Sequence, residues 1–375
     1  MSEQQEQQEQ QIKTVSIGKV KYPIIIGLGV VLLLFWKEFN LESLENLHYG
    51  YRTIFWLFIA LLCMVTRDFG YMVRLYILTE RKFSWKQCFR VIMLWEFTSA
   101  VTPSAIGGTS VAIIYVNKEG LSVGKSSAVV MATSFLDELY FIIMFPLLLL
   151  LVDNQLLFSI DGSPLSFRNE FLLFATIGYS LKFIYTAILS YGLFFNPKGI
   201  KWLLLKIFKL PFLRRWKHSA EKAGNDIVDS SKELVAKPFS FWLSAFGATF
   251  FSWTARYWVV NAILLAFFHI ENHFLIFARQ LVMWIMMLVS PTPGGSGFAE
   301  FIFTRYLGEF IPVDPSMVGS IAIAMALLWR IISYYPYLII GAIIFPKWIN
   351  NKFGKKKTSK NTPVNTNSTE LSEKK

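Results

Sequence analysis

The chain has 375 residues, of which 54% are hydrophobic and only 17% are charged. Soluble globular domains have about 25% charged residues. The deficit lies in long apolar runs, which excludes an ordinary soluble domain and predicts a helical membrane protein. The net charge of +12 comes mainly from a few connecting segments, so it indicates membrane orientation and contact with anionic lipid rather than nucleic acid. The two cysteines and four histidines form no ligand motif, so we expect no metal and no cofactor.

Both ends of the chain are polar. Residues 1–18 and 353–375 are predicted to be disordered cytoplasmic tails, and 19–352 to form one transmembrane domain. Lysines precede the first apolar run, 22–36, and no signal-peptidase site follows it, so we expect an uncleaved first span.

Six apolar runs are predicted to cross the bilayer in full. Basic connections, above all 81–90 and 196–238, are expected in the cytoplasm, and the acidic connections 38–45 and 269–273 outside. The predicted spans are 22–36, 53–78, 126–152, 171–195, 239–268 and 317–345.

Two short segments, Thr102–Thr109 and Ser290–Glu300, interrupt further apolar runs. Each contains Thr-Pro, then two glycines, then a hydroxyl residue. Proline removes a backbone donor and glycine removes the side chain, so no regular helix is expected to pass through either segment. Interrupted apolar segments at matching places in two halves of a membrane protein point to a transport site. The alternative is that both are ordinary loops between helices.

Charge favours re-entrant hairpins over complete crossings at these breaks. If the run ending at Pro103 crossed the membrane, the segment 196–238, with ten Lys and Arg against four acidic residues, would lie outside. A hairpin that returns to its side of entry keeps this segment, Lys118 and Lys125 in the cytoplasm. The same reasoning makes the second hairpin enter from the outside.

The predicted fold is therefore all-α, a polytopic membrane bundle of six full spans plus two opposed re-entrant hairpins in an inverted repeat. Its halves cover about 22–195 and 239–345, joined by the basic cytoplasmic segment 196–238, and both termini are expected in the cytoplasm. Within that segment, 201–209 has its lysines on one helical face and predicts an interfacial helix. The part after Pro211 fits a solvated connector equally well.

The two breaks are the predicted substrate site. Short helices that start near Thr109 and Ser296 would point their N-termini into the protein, where free N–H groups and the helix dipole favour an anion such as a lipid phosphate. Glycines would let the backbone approach the headgroup, and Glu300 would bind a cationic part of it. The predicted substrate-binding residues are Pro103, Gly107, Gly108, Thr109, Pro293, Gly294, Gly295, Ser296, Gly297 and Glu300.

Charged residues also lie at mid-span. Asp137 and Glu138 are roughly 17 Å into their span at 1.5 Å per residue, close to the bilayer middle. Such groups usually face the bundle interior and pair, so both structural pairing and substrate binding fit them. A pair between Asp137 or Glu138 and one of the two arginines at similar depth, Arg256 or Arg330, is expected. The predicted intramembrane charges are Arg67, Asp137, Glu138, Arg256 and Arg330.

The second break, Pro293 to Glu300, precedes a short helix and a last long span. This arrangement is similar to the Pro-Gly-Gly-x-Gly-x-x-Glu signature of the flippase-like transmembrane domain of lysylphosphatidylglycerol synthases. Pro103–Thr109 and Asp137 resemble that domain's first-half element, and the resemblance covers approximately Lys19 to Lys352. The family often has Gly-Glu and a nearby Arg after its first Pro. The uncharged Gly-Gly-Thr that stands here leaves the headgroup preference open.

The resemblance implies a bacterial inner-membrane protein that moves or handles phospholipid. It also implies the transport module alone, without the aminoacyl-transferase domain, so we expect no enzyme activity. The expected partner is a membrane phospholipid, with an anionic headgroup favoured, and not a nucleic acid. Two alternatives are a small-solute or ion-coupled secondary transporter and a membrane-embedded partner of an envelope enzyme.

Overall fold

The computed structural model describes residues 49–101, 105–158, 166–207, 217–288 and 297–353. All regular elements in these ranges are helical, which confirms the all-α prediction for the described part of the chain. The predicted first span and both predicted tails, except for Phe353, lie outside these residues.

The described ranges contain thirteen α-helices. They are α1 (Tyr51–Leu78), α2 (Trp85–Val101), α3 (Ala105–Lys118), α4 (Val123–Leu151), α5 (Asn154–Phe158), α6 (Ser166–Ser190), α7 (Pro197–Ile207), α8 (Lys217–Val235), α9 (Phe239–Phe267), α10 (His273–Met287), α11 (Phe298–Leu307), α12 (Pro315–Ser333) and α13 (Tyr335–Phe353). A π-helical turn, Tyr191–Phe195, extends α6, and a 3-10 turn, Gly308–Phe310, extends α11.

Five helical segments are long and apolar enough to cross a membrane, and they coincide with the last five predicted spans. They are Tyr51–Leu78, Val123–Leu151, Leu172–Phe195, Phe239–Phe267 and Pro315–Lys352. The protein is thus a multi-pass helical membrane protein in its described residues.

The last of these segments is not the single continuous helix that was predicted. It breaks at Tyr334, whose backbone angles (φ −129°, ψ −55°) leave the helical region. Pro336 has no N–H to donate to the preceding turn, and its ring disfavours helical backbone just before it, so the chain restarts as α13.

The part after Pro211, for which a helix and a solvated connector fitted equally well, is helical from Lys217. Residues Lys217–Val235 form α8, which packs against α4. Val228, Ser231 and Leu234 are buried and lie three residues apart, so they share one face of the helix. Burial of this narrow face explains why a largely polar segment is helical.

Helices α1 and α9 form the most extensive helix pair among the described residues. They cross closely at Gly70, where an added Cβ would lie only 2.9 Å from the carbonyl oxygen of Ala248 and would overlap the hydroxyl of Ser252. That hydroxyl donates a 3.0 Å hydrogen bond to the carbonyl of Arg67. Small residues that let backbones approach are the usual means of helix association in membranes.

Salt bridges tie helix ends together at one end of the bundle. Glu119, directly after α3, accepts two 2.7 Å hydrogen bonds from Arg90 in α2 and binds Lys352 of α13 at 3.2 Å. Because α2 begins and α3 ends beside each other, the chain leaves this end in α2 and returns to it in α3.

Glu80, which follows α1, belongs to the same end of the bundle. It pairs with Lys125 of α4 at 2.6 Å and with Lys237, just before α9, at 2.8 Å. Burial disfavours the charged carboxylate, but the hydrogen bonds from both lysines outweigh it and lower the pKa of Glu80 to about 2. The end of α1 and the starts of α4 and α9 therefore meet here.

The opposite end is organised by Arg279 of α10, whose side chain is fully buried. It pairs with Glu309 after α11 at 2.6 Å and donates 2.8 Å and 3.1 Å hydrogen bonds to the carbonyls of Tyr306 and Leu156. Leu156 follows α4, a helix of 29 residues that spans roughly 40 Å at 1.5 Å per residue. Helix α10 thus starts, and α11 ends, at one end of the bundle. Helix α2 starts, and α3 ends, at the opposite end.

The close crossing at Gly70 can be tested with a matched pair of variants. Gly70→Ala should lower the free energy of unfolding by about 1–3 kcal/mol, since the added methyl group overpacks the contact between α1 and α9. Gly247→Ala is the control, because Gly247 lies in α9 with open space around it and gains the same helix propensity. Melting temperatures in detergent would measure both, and equal values for the two variants would contradict the close contact.

Candidate functional site

Helix α1 carries a buried stack of aromatic and cationic side chains along one face. Arg67, Tyr71 and Arg74 are 1%, 5% and 3% exposed. Both guanidinium groups lie 4.7 Å from the Tyr71 ring centroid. The spacing of four and then three residues places the three side chains on one helical face. The stack brings two positive charges into the interior at membrane depth.

Carboxylates from two helices hold Arg67. Its guanidinium pairs with Asp68 at 2.9 Å and with Glu96 of α2 at 2.5 Å, and it lies 4.9 Å from the ring centroid of Tyr337 in α13. The hydroxyl of Tyr337 donates to Asp68 at 2.9 Å. The cluster joins α1, α2 and α13, so Arg67 is paired, as mid-span charges were predicted to be.

Arg74 pairs with Asp137 of α4 at 2.5 Å and donates a 3.2 Å hydrogen bond to the hydroxyl of Thr249 in α9. The indole N–H of Trp253 donates to the same Asp137 carboxylate at 2.7 Å. The expected pairing of Asp137 with Arg256 or Arg330 is wrong. Its position in α4 turns it toward α1 and α9 instead.

Glu138 has a different partner from its neighbour. It pairs with Lys182 of α6 at 2.9 Å, and the Lys182 ammonium lies 4.1 Å from the ring centroid of Phe141. The expected pairing of Glu138 with Arg256 or Arg330 is therefore also wrong. Consecutive helical residues point about 100° apart, so Asp137 and Glu138 meet different helices.

Arg330 pairs with Glu300 at 2.7 Å, and both side chains are buried. The other Glu300 oxygen accepts a 2.6 Å hydrogen bond from the N–H of Gly297, which has a φ of 84°. A left-handed backbone favours glycine at this position. The Glu300 carboxylate, predicted as a ligand group, thus binds both the Gly297 amide and the Arg330 guanidinium in this structure.

The end of α12 also contacts the end of α2, beside the first break. Tyr334 donates a 2.9 Å hydrogen bond to the carbonyl of Ala100, which lies in α2 two residues before Thr102. The guanidinium of Arg330 stacks on the Tyr334 ring at 4.8 Å. Residues beside both Gly-Pro breaks and the break between α12 and α13 therefore meet in one place.

Half of the predicted substrate-binding residues lie in the described part of the chain. Gly107 lies in α3, Gly108 is buried where an added Cβ would overlap Ser99 of α2, and Thr109 is half-buried. Helix α3 begins at Ala105, four residues before the predicted start, because Gly108 permits this close approach to α2 within the helix. Outside the described residues lie Pro103, Pro293, Gly294, Gly295 and Ser296.

Arg256, the remaining predicted intramembrane charge, lies against aromatic rings. Its guanidinium is 4.1 Å from the ring centroid of Trp284 and 5.5 Å from that of Trp253. Among the residues that the structure describes, no carboxylate pairs with it.

Sequence reasoning missed several members of these clusters. Arg74 could have been found from its spacing of seven residues from Arg67, which places both on one helical face. Glu96 and Lys182 are isolated charges within apolar helices, a signal of interior pairing in membranes.

The architecture and its paired interior charges define a polytopic helical membrane protein. The sequence matches the family model of the lysylphosphatidylglycerol synthase TM region over residues 24–341, so the chain belongs to that family and the resemblance is confirmed. A UPF0104 membrane protein of Archaeoglobus fulgidus is 27% identical over 264 residues, which cover 68% of this chain and 73% of that protein.

The pair of Glu138 and Lys182 offers a clean double-mutant cycle. Glu138→Gln should cost about 3–5 kcal/mol of unfolding free energy, because it leaves the Lys182 charge buried without its partner. Glu138→Gln combined with Lys182→Met should cost much less than the sum of the two single changes. Unfolding in detergent would measure this coupling, and additive effects would show that the two groups do not interact.

Proposed function

We propose that this protein moves an anionic phospholipid, or a lipid-linked headgroup, across the membrane and catalyses no covalent reaction itself. The observation that carries the proposal is the meeting of Arg330 and Tyr334 with residues beside both Gly-Pro breaks. Sites of membrane transporters are commonly built where discontinuous helices meet near the bilayer middle.

The ends of the short helices support two opposed re-entrant hairpins. Helix α2 starts, and α3 ends, at the end of the bundle that carries Glu119. Helix α10 starts, and α11 ends, at the end that carries Arg279. Each half has the same order of elements, namely a long helix, two short helices and a long helix, in α1–α4 and in α9–α12. This order fits an inverted repeat with the site between its halves, and 22–36 would supply the sixth full span.

Lipid is the favoured substrate because the polar interior is surrounded by apolar faces. Helix α1 buries Arg67 and Arg74 on one side and exposes large apolar side chains such as Phe55 and Phe58 on the other. A headgroup can pass through such a polar interior while its acyl chains stay in hydrocarbon. Glu300 would be freed for a cationic headgroup part only if its pair with Arg330 opens.

Charge supports an orientation with both termini in the cytoplasm of a bacterial cell and the domain in its inner membrane. The end of the bundle that carries Glu80 and Glu119 also carries α8 and Lys237, which belong to the basic segment 196–238. Positively charged connections favour the cytoplasmic side. We propose no cofactor, and a gradient or a partner, such as an envelope enzyme, would drive movement.

Transport can be measured in liposomes. The protein should speed transbilayer exchange of a fluorescent phosphatidylglycerol, and Gly295→Leu at the predicted hairpin tip should abolish this, because a side chain there would block the approach of a headgroup to the backbone. Gly247→Leu, in open space on α9, is the matched control and should stay active.

Exchange no faster than in protein-free liposomes, with and without an ion gradient, would reject lipid transport. Uptake of a small solute by the same liposomes would favour the secondary transporter. Absence of both activities would favour a membrane-embedded partner of an envelope enzyme.

The hairpin topology can be tested with single cysteines in a background without the two native ones. Lys86→Cys and Asn117→Cys, at the start of α2 and near the end of α3, should react with an impermeant maleimide from one face of the membrane. Glu271→Cys and Asp314→Cys, before α10 and after α11, should react from the opposite face. Labelling of the first two positions from opposite faces would show that α2 and α3 cross the membrane together and would reject the hairpin.

A further inference from the structure

Arg256 differs from the other interior cations in having no anionic partner. Within the described ranges, carboxylates pair with each of the others, whereas no hydrogen bond or ion pair joins the Arg256 guanidinium to another residue there. Those paired cations are Arg67, Arg74, Lys182, Arg279 and Arg330. Stacking on Trp284 offsets part of the desolvation cost of the guanidinium but leaves its five N–H donors without acceptors among the described residues.

Arg256 lines a small, partly open pocket between α9, α10 and α12. The pocket adjoins the junction of the helix breaks, because its wall includes Trp329, the neighbour of Arg330. Its lining residues are Arg256, Tyr257, Gln280, Met283, Trp284 and Trp329. Arg256 is half-buried, so its side chain partly reaches the bundle surface at membrane depth.

A second donor in the pocket also has no acceptor. Tyr257 is 3% exposed, and its hydroxyl is buried without a hydrogen-bond partner among the described residues. Gln280 donates a 2.6 Å hydrogen bond to the carbonyl of Tyr257, which holds its amide in place beside the pocket. A buried hydroxyl is costly when it makes no hydrogen bond, so an anionic oxygen in the pocket would satisfy both the phenol and the guanidinium.

We propose that Arg256 and Tyr257 bind a phosphate group in this pocket, as the phosphate subsite of the transport pathway. A phospholipid headgroup and free phosphate share the chemistry that the two side chains recognise, because a guanidinium fork can donate two parallel hydrogen bonds to phosphate oxygens. The identification of the subsite with a transport pathway rests on the proposed function. The binding of phosphate does not rest on the proposed function, and it can be measured without transport.

Binding can be measured in detergent with monomeric dihexanoylphosphatidylglycerol as the probe. Wild-type protein should bind it saturably, and Arg256→Gln should weaken binding roughly tenfold or more through loss of the charge-assisted hydrogen bonds. Tyr257→Phe should weaken it less. Lys86→Gln, which removes one exposed positive charge at the start of α2, should bind as the wild type does.

The ligand-free melting temperature separates binding from folding. Because Arg256 has no carboxylate partner in the described residues, Arg256→Gln should melt close to the wild type, and only the stabilisation produced by added lipid should be lost. Should this variant not fold, Arg256→Lys replaces it, since lysine keeps the charge but loses the two-pronged geometry. Unchanged lipid affinity in the folded variant, Arg256→Gln or Arg256→Lys, would overturn the subsite.

Inorganic phosphate and dihexanoylphosphatidylcholine identify the source of the phosphate. Tighter binding of the phosphatidylglycerol than of either competitor supports an anionic lipid at the subsite. Inorganic phosphate that binds as tightly, and with the same dependence on Arg256, keeps the phosphate subsite and identifies a small solute. Arg256-dependent binding in a protein that fails to move lipid in liposomes would reject the proposed function and keep the subsite.

Discussion

The cost of placing a charge in hydrocarbon governs the interior of this protein. An ion in a low-dielectric region is tolerated only with a partner and with its hydrogen bonds satisfied. Each cation therefore determines which helices must be neighbours. Arg67 joins α1 to α2 and α13, and Arg74 joins α1 to α4 and α9. Helix association in the membrane lacks the hydrophobic driving force that it has in water, so these pairs and the close crossing of α1 with α9 specify the arrangement.

The helix interruptions depend on the same polar side chains. A helix that stops within a membrane protein leaves backbone N–H and C=O groups that need partners in the interior. Glu300 accepts from the N–H of Gly297 at the start of α11, and Tyr334 donates to the carbonyl of Ala100 near the end of α2. Arg330 holds Glu300 in turn. The charges and the breaks thus stabilise one another, which explains why they occur together in the chain.

The sequence was sufficient to locate five of the membrane spans, but not to identify the ion-pair partners of the interior charges. Five of the six predicted spans lie within a few residues of described helical segments, because hydrophobic length is a local property. The partners of Asp137 and Glu138 depend on which helix faces each side of α4, and that is decided by tertiary packing. The break at Tyr334 had a local signal in Pro336 that the hydrophobic run obscured. The buried face of α8 was hidden by its charged residues, since apolar Val228 and Leu234 are separated along the chain by polar side chains.

Arg256 and Arg330 look alike in the sequence, each alone among apolar residues at similar depth, yet their surroundings differ. Arg330 is held by Glu300, whereas Arg256 rests on the indole rings of Trp284 and Trp253. A residue that must bind and release an anion cannot be neutralised permanently by a carboxylate, because the ligand would then have to displace that carboxylate. Aromatic faces attract a guanidinium without occupying its hydrogen-bond donors. An aromatic cradle therefore suits a cation that keeps its donors for an anion inside the membrane, as proposed for Arg256, while the paired arginines hold the helices around it.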